Sequence, residues 1–144
     1  MKIAVIDGQG GGLGKALIER ISKEIGSNMT IIALGTNSMA TTSMLRAGAH
    51  EGATGENAIV INAHKADIII GSVGILAANS MLGECTPRMA EAIGSSNARK
   101  ILVPLNRCGL EIIGTGGESL PSLIDALILR IKDICSINEK ECNK

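Results

Sequence analysis

Four apolar runs dictate what this chain can become. Residues 2–6 (KIAVI), 29–34 (MTIIAL), 67–70 (DIII) and 101–105 (ILVPL) are each long enough for one strand. None alternates apolar with polar residues as a strand with one wet face would. Between the first two runs Leu13, Leu17, Ile21 and Ile25 form one helical stripe ahead of Gly26, a strand followed by a turn and a helix. Strands buried on both faces and separated by helices predict an α/β fold: a three-layer, doubly wound, mostly parallel sheet of Rossmann-like type in a single domain.

The remaining elements follow the same logic. Residues 39–47 read as a helix stopped by Gly48, 49–54 as a very short strand and 55–65 as a helix feeding the third apolar run. A helix over 87–93 is opened by Pro87 with Thr86 as its cap. Residues 110–113 are expected to add an edge strand. Pro121 opens a final helix whose stripe includes Leu120, Leu123, Leu127, Ile131 and Ile134. The domain is expected to span residues 1–135, with 136–144 a flexible C-terminal tail.

Ligands of such sheets bind where strands end at their carboxyl edge. Those ends here read DGQGGG, GTNS, GSVG and LNRCG, small and polar where the strands are not. The first is the most telling. Close approach of a phosphate to the backbone needs residues without Cβ, and the first turn of a helix offers unpaired N–H groups and a partial positive charge.

Three patterns compete for this loop. The Walker pattern GxxxxGK[ST] fails because Gln9 stands at the first glycine and Ala16 where a hydroxyl would hold magnesium. GxGxxG fails in register, since Leu13 takes the third glycine. G-x-x-x-G-x-G fits at Gly8, Gly12 and Gly14 and resembles the cofactor loop of short-chain dehydrogenases/reductases over the first fifth of the chain. Their catalytic tyrosine cannot be carried over, because the chain has no tyrosine.

The expected phosphate and cofactor contacts are therefore Gly8, Gln9, Gly10, Gly11, Gly12, Leu13, Gly14 and Lys15, with Thr36, Asn37, Ser38, Ser72 and Asn106 across the crevice. The segment ALGTNSMATTSMLR lacks the acidic residue that grips an NAD ribose, and no basic residue precedes Arg46. NADP or another nucleotide is thus the expected cofactor, without a metal. Asp7 is placed to orient the glycine loop.

Other polar groups supply candidates for chemistry. Arg107 suits a phosphate or carboxylate, Cys108 beside it is a candidate nucleophile, and Glu84 is the candidate general base. Asn79, Ser80 and Glu84 lie in a long connection of the kind that covers ligands. His50 and Glu51 are expected in a loop near the crevice and His64 at an exposed helix end. Thr54, Glu56 and Asn57 are explained by capping.

Composition narrows the function classes. Fourteen basic residues balance fourteen acidic ones among 144, and there is no Phe, Tyr or Trp. Neither a charge surplus nor a stacking platform favours nucleic acid. Four scattered cysteines signal neither zinc nor a disulfide framework, and no segment reads as an export signal or membrane span. The expectation is a cytoplasmic protein with a small phosphate-containing ligand and no nucleic-acid or membrane partner. The Met-rich NSMATTSML segment is the expected face of a homo-oligomer.

The runs MKIAVIDGQGGG, ALGTNSMAT, GATGENAIV, ADIIIG, ANSMLGE and ILVPLNRC together resemble an uncharacterised bacterial family, domain of unknown function 3842, from Met1 to about Asp133. The resemblance implies a nucleotide-binding α/β fold and no known activity. Whether the chain is an enzyme stays open. A small enzyme acting on a phosphorylated metabolite without nicotinamide, and a non-catalytic structural module, are the alternatives.

Overall fold

The computed structural model describes residues 1–105 and 107–142, with side chains up to residue 137. Five strands, β1 (Lys2–Asp7), β2 (Thr30–Gly35), β3 (Glu51–Thr54), β4 (Ile68–Ser72) and β5 (Arg99–Val103), form one sheet in the order β3-β2-β1-β4-β5. Every pairing is parallel, with Asp7 opposite Gly35 and Val5 opposite Ile70. The helices are α1 (Gly12–Glu24), α2 (Ser38–Arg46), α3 (Glu56–Ala63), α4 (Pro87–Ser95) and α5 (Leu120–Cys142). A short 3-10 helix, Val73–Leu76, follows β4.

The central strands distribute their side chains to the two faces in turn. Ile3, Val5, Ile31, Ala33, Ile68 and Ile70 pack with Leu17, Ile18, Ile21, Met44 and the Ile124 to Ile134 stripe, so α1, α2 and α5 cover that face. Ala4, Ile6, Ile32, Leu34 and Ile69 pack with Ile59, Met89 and Ile93 of α3 and α4 on the other. Each fully buried Leu or Ile contributes on the order of 1.5–3 kcal/mol, and the core reaches this without a single ring. Met44 belongs to it, whereas Met39 of the same Met-rich segment is 68% exposed.

Local chemistry sets the helix starts. Asn37 caps α2 through a hydrogen bond that its side chain accepts from the Ala40 N–H, and Thr86 caps α4 through the Met89 N–H ahead of Pro87. Thr86 also donates to Glu56 at 2.6 Å, which ties the starts of α3 and α4 together; α3 itself starts after Gly55 without a side-chain cap, so Glu56 serves this contact and not the expected capping.

One expected element is absent. Residues 110–113 form no strand: Gly109 and Gly114 have positive φ, and the segment turns between them instead of pairing, which leaves Ile113 almost wholly exposed. The sheet is all parallel among the described residues, as the expected doubly wound architecture requires. The final helix runs from Leu120 to Cys142, since nothing between Asp133 and Cys142 breaks a helix. No helix is long and apolar enough to cross a membrane among the described residues.

Candidate functional site

The strand order changes direction between β1 and β4, and there the chain leaves the sheet toward opposite faces, opening a crevice at the carboxyl ends. A cleft of about 340 Å³ lies at this point. Its floor is the turn from Asp7 to Leu13; Ser72 and Gly74 line it after β4, Arg107 and Cys108 after β5, and Met81 and Leu120 close its sides.

Asp7 holds the glycine loop in shape. Its carboxylate accepts the Gly8 N–H at 2.8 Å and the Gly14 N–H at 2.7 Å, tying both ends of the turn to the tip of β1. Burial pushes this carboxyl above its ordinary value, against the opposing pull of those two N–H groups; Glu84 adds to the rise and Arg107 reduces it. A carboxyl whose folded value exceeds its unfolded one stabilises the fold most when protonated, and that contribution is lost as pH rises through the folded value. The unfolding free energy of the wild type relative to Asp7→Asn should therefore fall across the window above 3.8, by up to about 1.4 kcal/mol per pH unit. Urea titrations at several pH values check it; a difference that stays flat or rises would be the wrong sign.

The glycines of the loop divide by what surrounds them. A Cβ on Gly14 would stand 2.5 Å from Met44 Sδ and 3.0 Å from Asp7 Cβ, so α1 packs on α2 and β1 only through a bare backbone. Gly8 is pinned likewise between Thr36 and Met81. Gly11 has a φ of 73° and lies against the Ala40 backbone, the conformation and the contact both requiring glycine. Gly10 and Gly12 differ: neither has positive φ, and a Cβ on either meets nothing within 4 Å. Gly12 and Leu13 begin α1, and their N–H groups have no hydrogen-bond partner among the described residues.

The connection over residues 77–86 folds back across this edge. Ser80 Oγ donates to the Gly74 carbonyl at 2.6 Å and the Asn79 N–H to the Cys85 carbonyl at 2.8 Å, which closes the connection on itself. From it Glu84 reaches the tip of β2. Glu84 Oε1 accepts the Gln9 N–H at 3.0 Å, the Thr36 hydroxyl at 2.8 Å and the Asn37 amide at 2.6 Å. The Asn37 amide foremost, with Gln9 and Thr36, holds the Glu84 carboxyl below its ordinary value. On the other flank the Met81 N–H donates to Cys108 Sγ at 3.4 Å. Among the described residues, the non-glycine residues with positive φ, Gln9, Asn79, Met81, Leu82 and Cys108, all belong to the glycine loop, this connection or the turn after β5. Each costs about 1–2 kcal/mol of backbone strain, and such strain concentrates at functional sites.

The sequence-expected residues thus separate into groups. Gly8 to Leu13, Ser72, Arg107 and Cys108 meet at the cleft, while Thr36 and Asn37 hold Glu84 beside it. Lys15 and Ser38 face a neighbouring groove with Arg46, and Lys15 Nζ stands 4.0 Å from Glu19. Asn106 lies outside the described residues. His64 is at the exposed end of α3, as expected. His50 and Glu51 do not approach the crevice: His50 Nδ1 accepts the Ile31 N–H and Glu51 pairs with Lys2, because β3 begins at the amino edge of the sheet. Gly74 lines the cleft as part of the GSVG end of β4, whereas Met81 was not anticipated; a methionine in a run of turn residues carries no signal of the contact it makes. No group of three or more metal-ligating side chains occurs among the described residues.

The family model for Domain of unknown function (DUF3842) matches residues 2–136, and the chain belongs to that family. No curated protein and no solved structure matches it.

Proposed function

We propose that this chain of the DUF3842 family binds a nucleotide, of mononucleotide or NAD(P)-like dinucleotide type, with its phosphate on the first turn of α1. One observation carries the reading: Gly10 and Gly12 are glycine where the fold has no use for it, and the space a side chain would fill lies beside the partnerless N–H groups of Gly12 and Leu13. A phosphate accounts for both facts at once. Arg107 lines the opposite wall and supplies a charged donor for a second phosphate oxygen. Ser72 adds a hydroxyl from the end of β4.

The loop lacks the hydroxyl after Lys15 that would hold magnesium, so binding needs no metal and no phosphate is released. Calorimetric titration of the full chain with ADP and NAD, with and without magnesium, tests this. Saturable binding is expected in both conditions, weakened about tenfold or more in Arg107→Ala, the loss of a charged hydrogen bond. Absence of binding at millimolar nucleotide, or turnover that requires magnesium, would overturn it.

A further inference from the structure

The segment at the end of β2 contains no acidic residue, yet the structure puts a carboxylate there. Glu84 comes from the connection after β4, 48 positions from Thr36 in sequence, and seats Oε1 between the glycine loop and the β2 tip. The two loops are neighbours through the sheet itself, since Asp7 is paired with Gly35 and the Thr36 N–H donates to the Asp7 carbonyl at 3.0 Å. An ideal Cβ on Gly8 would lie 3.4 Å from Glu84 Oε1, so the carboxylate is next to the loop that would carry the phosphate.

From this arrangement, and resting on the nucleotide reading above, we propose that Glu84 is the acceptor for the vicinal 2′- and 3′-hydroxyls of the nucleotide's ribose. The chain then selects an unmodified ribose, as in NAD or ADP, against one bearing a 2′-phosphate. In a doubly wound sheet the ribose of a nucleotide anchored at the first glycine loop reaches the tip of the second strand, where a carboxylate accepts its hydroxyls. Here that group arrives from elsewhere in the chain. Oε1 is fully engaged by Gln9, Thr36 and Asn37, which fixes the carboxylate, while Oε2 carries no hydrogen bond among the described residues and keeps its acceptor sites. Asn37 is itself fixed as the cap of α2 and by its bond to the Gln9 carbonyl at 2.8 Å, so the acceptor cannot easily turn away.

An ionised carboxylate at this place repels a 2′-phosphate. The cations that would favour one, Lys15 and Arg46, line the neighbouring groove with Ser38 and Thr42. Within the expectation of NADP or another nucleotide, this arrangement favours NAD.

The test compares ligands differing only at the 2′ position, on the full chain, by calorimetry. Wild type is expected to bind NAD at least about tenfold more tightly than NADP, and ADP about tenfold more tightly than 2′-deoxy-ADP, the loss of one well-placed hydrogen bond. Glu84→Gln, which keeps an acceptor and removes the charge, should bring NAD and NADP to within about threefold of each other. The ADP comparison needs no variant and decides the matter even if Glu84→Gln folds poorly. Equal binding of ADP and 2′-deoxy-ADP, a preference for NADP, or a NAD to NADP ratio unchanged in a folded Glu84→Gln would overturn the assignment while leaving the phosphate site intact. If wild type binds none of the four, the nucleotide reading itself falls.

Discussion

Replacing Gly12 with valine is expected to weaken nucleotide binding by at least about a hundredfold, close to 2.7 kcal/mol, while the protein melts where the wild type does. The two halves of this expectation have separate causes. Gly12 is the first residue of α1 with ordinary φ, and a Cβ there meets nothing within 4 Å, so the fold gives a side chain room. In helical backbone valine is no worse than glycine, and any change in stability should be a few tenths of a kcal/mol in valine's favour. The side chain would instead fill the space in front of the Gly12 and Leu13 N–H groups, where the phosphate is proposed to sit. Thermal unfolding and calorimetry on the same preparation check it. Unchanged affinity in the folded variant would remove the phosphate from this loop.

The same substitution two residues on is expected to do the reverse. In Gly14→Val the first added carbon would already stand 2.5 Å from Met44 Sδ and 2.9 Å from Met44 Cγ, and Met44 is fully buried. A methionine tail can bend, but the Asp7 Cβ at 3.0 Å belongs to the strand and cannot follow. Helix α1 must then move off β1, lengthening the 2.7 Å bond from the Gly14 N–H to Asp7. Overpacking of this kind costs about 1–3 kcal/mol, and the melting midpoint should drop by roughly 2–4 °C for each of them. A Gly14→Val midpoint equal to that of wild type would mean that α1 and α2 do not pack through this backbone contact.

Much of the scaffold was legible because local physics decided it. The runs at β1, β2, β4 and β5 are apolar on both faces, and only a sheet covered by helices on both sides buries them. Thr86 and Pro87 announced α4 in two letters. Asp7 was readable as the anchor of its loop because it ends a strand one residue before the first glycine. What escaped depended on distance along the chain. Residues 110–113 have strand propensity but glycines on both sides that turn the backbone, and propensity gave way. His50 was assigned to the wrong edge because a residue near a short strand can precede or follow it, and only the pairing of Glu51 with Ile32 decides which. Glu84 was a candidate base from its long connection, but nothing in a linear pattern puts it at the tip of β2, 48 residues away.

The ringless interior has an optical consequence. With no tryptophan, tyrosine or phenylalanine in 144 residues, the folded chain is almost transparent between 260 and 300 nm and has no intrinsic fluorescence. A purine carried through purification would then supply nearly all of the near-ultraviolet absorbance of the sample, and a reduced nicotinamide would emit against a dark background. A single spectrum of the purified protein would show whether a chromophore travels with it, and its disappearance on denaturation and filtration would show that the folded chain had been holding it.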